Sequence, residues 1–112
     1  MKIIPINENR PCAVTYCLGM IGGKWKPIIL FCIASSVNRF GALQRAIPGI
    51  TKQMLTKQLR ELEGDKLVTR TVYAEVPPRV DYALTDRGRS VLPIIGEMKA
   101  WGEQEMANGS RT

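Results

Sequence analysis

The stretch GALQRAIPGITKQMLTKQLRELEGDKL, residues 41–67, constrains this chain more than any other. Its first part places Leu43 and Ile47 at i and i+4, the spacing of one helical face. Pro48-Gly49-Ile50 then interrupts the pattern, because proline disfavours a helical residue before it and glycine enters conformations other residues avoid. Thr51 can cap a second helix, its side chain accepting from the unpaired N–H groups of the first turn. At about 100° per residue, Met54, Leu55, Leu59 and Leu62 gather on one face of a helix running from 51 to 64. A short helix, a three-residue turn with glycine and a longer amphipathic helix form the outline of a helix-turn-helix.

The longer helix is also asymmetric in charge. From Thr51 to Arg60 it carries Lys52, Lys57 and Arg60 without one acid, and Glu61, Glu63 and Asp65 follow in quick succession. Gln53, Thr56, Lys57 and Arg60 collect opposite the apolar face. Lysine and arginine donate to guanine O6 and N7, glutamine pairs with adenine N6 and N7, and threonine offers a hydroxyl and a methyl. A carboxylate in that position would be repelled by phosphate. Thr51, Lys52, Gln53, Thr56, Lys57 and Arg60 are therefore the candidate DNA-binding residues. A polar helical face taken alone is more often merely solvated than functional. Here it coincides with a turn of the right length, a following hairpin and a strongly basic first half.

That basic half is visible in the charge distribution. Residues 1–60 hold nine Lys or Arg against the single acid Glu8, whereas residues 61–112 hold seven against nine. The net charge is +6, and such a one-sided field raises the local concentration of a polyanion. Solubility is the plainer explanation of the charge alone, since charge bias does not name a ligand. Other classes are excluded more firmly. With no histidine in 112 residues, common hydrolase triads and histidine-containing metal sites are ruled out, so neither an enzyme nor a metal or cofactor site is expected. Cys12, Cys17 and Cys32 form an odd set without C-x-x-C, which indicates neither a disulfide framework nor a zinc site. No stretch approaches the roughly 18 apolar residues of a membrane helix. The N-terminus lacks the long apolar run of a signal peptide, so a cytoplasmic protein without a membrane partner is expected.

The remaining segments complete a single domain over 1–112. CAVTYCLGMI (12–21) reads as a helix stopped by Gly22-Gly23. KWKPIILFCIA (24–34) reads as a buried helix with Trp25 and Pro27 in its first turn, where proline's missing N–H costs nothing. SSVNRF (35–40) is a polar turn or short strand. VTRTVYA (68–74) and RVDYALT (79–85) alternate in character and flank Glu75-Val76-Pro77-Pro78, which predicts a hairpin with a stiff tip. A hairpin after a helix-turn-helix is a wing. Thr85 can cap a last helix, bent near Pro93 or Gly96, and the tail NGSRT is expected to fray. The fold class is α+β: a winged helix-turn-helix with a core over 10–102. Helices over 24–64 lead through the motif, the wing spans 68–85, and a C-terminal helix spans 86–106. The N-terminal and C-terminal helices are expected to form a dimer interface.

Three segments together, CAVTYCLGMIGGKWKPIILFCI, RFGALQRAIPGITKQMLTKQLRELEGDKLV and YAEVPPRVDYALTDRGRSV, resemble the HxlR-type helix-turn-helix transcriptional regulators, relatives of the MarR-like winged-helix repressors. The resemblance covers about residues 10–102 and is specific to the family, not to one member. It implies a homodimer on a near-palindromic operator in double-stranded DNA, with helix 51–64 in the major groove. It also implies wings that reach the backbone or minor groove, with Arg79 as the wing contact. Several members sense oxidants or electrophiles through the cysteine at the position of Cys12. This chain departs from the family there, with Cys12-Ala13 where Cys-Pro is usual.

Further candidates have two readings each. Lys24 and Lys26 either donate to DNA phosphate or are solvated. Arg70 either contacts phosphate or pairs across the sheet with Asp81, and the pairing is favoured. The apolar stripe Val91, Ile94, Ile95, Met98, Trp101 is too large for so small a domain to cover and suits a symmetric dimer, the alternative being that it folds back on its own helices. Cys17 and Cys32 read as core thiols. Cys12, after Pro11 and near Arg10 at a helix start, suits a redox sensor or a small residue filling that start. An oxidant or small-molecule effector is compatible with the sensor reading. The alternative for the whole chain is a winged-helix protein-interaction module without direct DNA readout, whose mark would be an apolar patch on the exposed helix face.

Overall fold

The computed structural model describes residues 12–109, which form six helices and one two-stranded antiparallel sheet. The chain opens with α1 (Ala13–Ile21) and α2 (Lys26–Ala34), set at 66° to each other across Gly22-Gly23. Two short-range elements follow, α3 (Phe40–Ala46) and α4 (Lys52–Gly64). The strands are β1 (Val68–Tyr73) and β2 (Arg79–Leu84), and the chain ends in α5 (Asp86–Ser90) and α6 (Leu92–Asn108). No single helix among the described residues is long and apolar enough to cross a membrane.

The central helix is α2, whose Ile29, Leu30 and Ile33 are buried and which packs against α3, α4, α6 and β2. Leu43 and Ile47 from the α3 side and Leu55, Leu59 and Leu62 from α4 close on it, so the apolar spacing predicted for both helices is realised. The turn between them depends on Gly49, which has φ +83°, a left-handed conformation open to glycine at no steric cost. Thr51 caps α4 by accepting from the Met54 N–H at 3.0 Å.

The hairpin pairs Val68 with Leu84 through to Tyr73 with Arg79. Of β1 only Val68 is buried, so the strands leave the core almost at once and stand out as a wing. The expected strand near 35–40 reduces to one bridge, Arg39 to Asp81, with the Tyr82 N–H donating to the Asn38 carbonyl at 2.8 Å. Thr85 ties the end of the wing to the end of α4. Its hydroxyl donates to the Lys66 carbonyl at 2.7 Å and accepts from the Gly88 N–H at 2.9 Å. Gly88 is buried where a side chain would collide with the Leu67 carbonyl oxygen, so glycine is required for that close approach.

The expected single, bent C-terminal helix is two helices. The chain breaks at Val91, and Pro93 sits in the first turn of α6, where it can begin a helix but not continue one. The break also splits the apolar stripe. Val91 and Ile95 face the chain's own core, whereas Ile94, Met98 and Trp101 are exposed. At about 100° per residue the five residues share one arc of about 120°, with Ile95 at its buried edge and Ile94 and Trp101 at its exposed edge. The tail beyond residue 109, like Arg10 and Pro11, lies outside the described residues.

Candidate nucleic-acid interface

Helix α4 buries one face and shows the other. Lys52, Gln53, Lys57 and Arg60 are exposed and Thr56 is half-buried. Lys52, Thr56 and Arg60 follow each other at four-residue intervals and form a ridge. A cleft of about 350 Å³ runs along one flank of this ridge, with Arg70 of β1, Val80 and Tyr82 of β2, Phe40 and Glu63 completing its walls. A second cleft on the outer side is lined by the ridge residues with Gln53, Lys57 and Glu61. The ridge thus stands between a wing and open solvent, with cations on both flanks. The Thr56 hydroxyl donates back to the Lys52 carbonyl at 2.8 Å, which leaves its oxygen as an acceptor and its methyl turned outward from that bond.

The wing corrects one sequence expectation. Arg70 lies opposite Tyr82, and Thr71 is the residue opposite Asp81. Asp81 is held instead by Arg79 at 3.4 Å and by Arg39 at 3.7 Å. Arg70 is thereby left on the α4 side, where it joins Lys52 and Arg60 around the cleft. Arg79 is half-buried, pairs also with Glu75 at 3.7 Å, and stacks over the Tyr73 ring at 4.0 Å. It organises the base and tip of the wing. A further cleft between α3 and the wing tip gathers Arg39, Arg45 and Arg79. Sequence reasoning passed over Arg39 and Arg45, although both belong to the basic first half that was its main clue.

The two lysines at the start of α2 part company. Lys24 is exposed, with its ammonium 4.6 Å from the Trp25 ring centroid. Lys26 is not a free phosphate donor. It turns inward and lies 2.7 Å from Glu61 Oε1, because a lysine in a site this buried needs a compensating charge. Its hydrogen bond holds the Glu61 carboxyl below the ordinary carboxylate range.

Cys12 occupies the cap position of α1. The Thr15 and Val14 N–H groups at the start of α1 favour its thiolate and hold the thiol below the ordinary cysteine value, as expected where unpaired helix N–H groups meet a sulfur. Cys32 is pushed the other way by burial. It and Cys17 pack against the core as half-buried thiols.

Residues 20–110 match the model of the HxlR-like helix-turn-helix family. The chain belongs to that family. The uncharacterized HTH-type transcriptional regulator YybR of Bacillus subtilis (strain 168) is 50% identical over 102 residues, which are 91% of this chain and 80% of that protein. Solved structures of the redox regulator HypR resemble it in both states. The oxidized form has a TM-score of 0.77 at 49% identity and covers 83% of this chain and 96% of its own. The reduced form has a TM-score of 0.79 at 47% identity, with 85% and 94% covered. This HxlR-like chain is therefore a transcriptional regulator of the helix-turn-helix type with a winged-helix, α+β fold.

Proposed function

We propose that this HxlR-like regulator works in the cytoplasm as a homodimer that binds a near-palindromic operator, with α4 in the major groove and the wing against the backbone. The observation that carries the reading is the cationic ridge Lys52-Thr56-Arg60, exposed along α4 and faced by Arg70 across a cleft. Gln53, Thr56, Lys57 and Arg60 are suited to base edges, Thr51 and Lys52 to the backbone at the helix start, and Arg70, Arg79 and Lys24 to flanking phosphates. A protein-interaction module would show an apolar patch on the exposed face of α4, and this face is polar.

The apolar surface lies elsewhere. Val14 is 65% exposed and Trp101 69%, with Tyr16, Leu18, Ile94, Met98 and Met106 also open. An apolar cleft of about 490 Å³ between α2 and α6 adjoins Met98. Exposed apolar area on this scale in so small a domain suits a second copy, and a two-fold dimer would set its reading helices about 34–36 Å apart. The lowered thiol pKa of Cys12 and its place at the start of α1 support an oxidant- or electrophile-responsive regulator, and the redox regulator HypR is a close structural relative. Cys12 and Cys17 lie on different faces of α1, so a disulfide would join Cys12 to a cysteine of the second subunit.

The test is duplex binding at two salt concentrations. Gel-shift titrations on genomic fragments should show affinity falling by orders of magnitude between low and physiological salt, as several phosphate contacts release counterions. Absence of binding to every duplex at low salt would overturn the proposal.

A further inference from the structure

We propose that Lys26 is a positioning residue for DNA recognition: it draws Glu61 back against the domain and so keeps that carboxylate off Lys57 and away from the phosphates. The inference rests on the DNA-binding reading above. Lys26 is the first residue of α2 and its side chain is only 11% exposed, yet its ammonium reaches Glu61 Oε1 at 2.7 Å. Glu61 belongs to α4, one residue past Arg60 and four past Lys57. Its side chain is 41% exposed and it lines the same outer cleft as Gln53, Lys57 and Arg60. A carboxylate thus stands inside the cationic surface.

Two lysines compete for it. Lys57 at i−4 is a neighbour on the helix surface, close enough for side-chain pairing, and Lys26 approaches from another element. The geometry gives the carboxylate to Lys26. Among the described residues Lys57 makes no ion pair and remains exposed. The donor is set by a rigid element: Pro27 follows Lys26 in the first turn of α2, and Ile29 and Leu30 anchor that helix in the core. Without Lys26, Glu61 would either engage Lys57, which then loses its hold on DNA, or face the phosphates unpaired and repel them. Both outcomes act on binding more than on folding of the free protein, and both vanish when the carboxylate is removed.

The experiment is a double-mutant cycle on a duplex that the parent binds, read by fluorescence anisotropy as affinity and salt slope, with thermal melting of each variant alongside. Lys26→Met should weaken binding on the order of tenfold per half-site and make the salt slope shallower by about 1 for each, the signature of one lost phosphate contact. Lys26→Met/Glu61→Gln should recover most of that affinity and slope. Lys57→Ala should cost less in the Lys26→Met background than in the parent, because Lys57 is already engaged there. If the methionine variant melts below the assay temperature, Lys26→Gln, which removes the charge and leaves only a neutral donor toward Glu61, should show a smaller loss of affinity that Glu61→Gln again recovers. A Lys26 variant that binds like the parent, or single and double variants equally weak with losses that track melting temperature, would overturn the inference alone. A parent that binds no duplex would overturn the DNA-binding reading and this inference with it.

Discussion

Arg60→Ala separates the two roles a helix face can have, because the structure predicts opposite outcomes for folding and for binding. Arg60 is exposed on α4 and makes no ion pair among the described residues. Its removal from the free protein should change stability by less than about 0.5 kcal/mol, the usual range for a surface substitution away from caps and networks. Arginine and alanine are also both good helix formers, so α4 itself should persist. Against DNA the balance differs. A bidentate arginine contact to guanine contributes roughly 1–3 kcal/mol of discrimination. In a dimer the loss is counted at both half-sites, about 2–6 kcal/mol in all, which is roughly 30-fold to more than 10⁴-fold in affinity. Preference should relax at one base pair per half-site. Anisotropy titrations on the parent's selected site and on single-base variants of it measure both quantities, and calorimetry measures the stability. A variant that binds the site with parental affinity and preference would refute the assignment of Arg60 to the groove. A variant that is strongly destabilised would show that this face is not free in solution.

Two further perturbations address the dimer and the thiol. Trp101→Asp, which places a charge on the exposed apolar side of α6, should yield monomers or insoluble protein by light scattering, and a stable monomer in the intact protein would remove the dimer from the proposal. Cys12 should react with iodoacetamide at lower pH than Cys32, since the Cys12 thiol is held below the ordinary value and burial pushes the Cys32 thiol up. Mild oxidant should change operator affinity in the parent and not in Cys12→Ser; equal responses would make Cys12 a packing residue.

What was legible in the sequence was local. The turn of the helix-turn-helix follows from Pro48-Gly49, the start of α4 from Thr51, and its buried face from a spacing of three and four, each readable within a few residues. The cap is present at 3.0 Å and the leucines are buried. What was not legible depended on partners far along the chain. Pairing Arg70 with Asp81 assumed a hairpin register one residue away from the real one, in which Arg70 meets Tyr82. A slip of one moves a side chain to the other face of the sheet, and here it moves an arginine from a structural pair to the cleft beside α4. Lys26 and Glu61 are separated by 35 positions in sequence, and nothing near Lys26 announces that it turns inward. The apolar stripe of α6 was legible only in part for a related reason. Counting apolar residues says how many faces need cover but not that a break at Val91 turns Ile95 toward its own core.

The crowding of acids at one end of α4 has a physical explanation only when these distant contacts are included. The C-terminal end of a helix carries partial negative charge, so acids there are disfavoured by about 0.3–1 kcal/mol each, and cations would be the expected choice. Yet α4 has no basic residue in its last turn. On the proposed function, repulsion from DNA accounts for keeping acids out of 51–60, but not for gathering three of them just beyond. Two of the three have places in the fold. Glu61 is bound by Lys26, which brings the start of α2 onto α4. Glu63 lines the cleft that Arg60 and Arg70 share. The acidic end therefore fixes α4 to α2 on one side and lines the wing cleft on the other, and the cation-only stretch stays exposed, as the proposed contact with DNA requires. A helix that mixed its signs evenly could be equally soluble, but it could not do both.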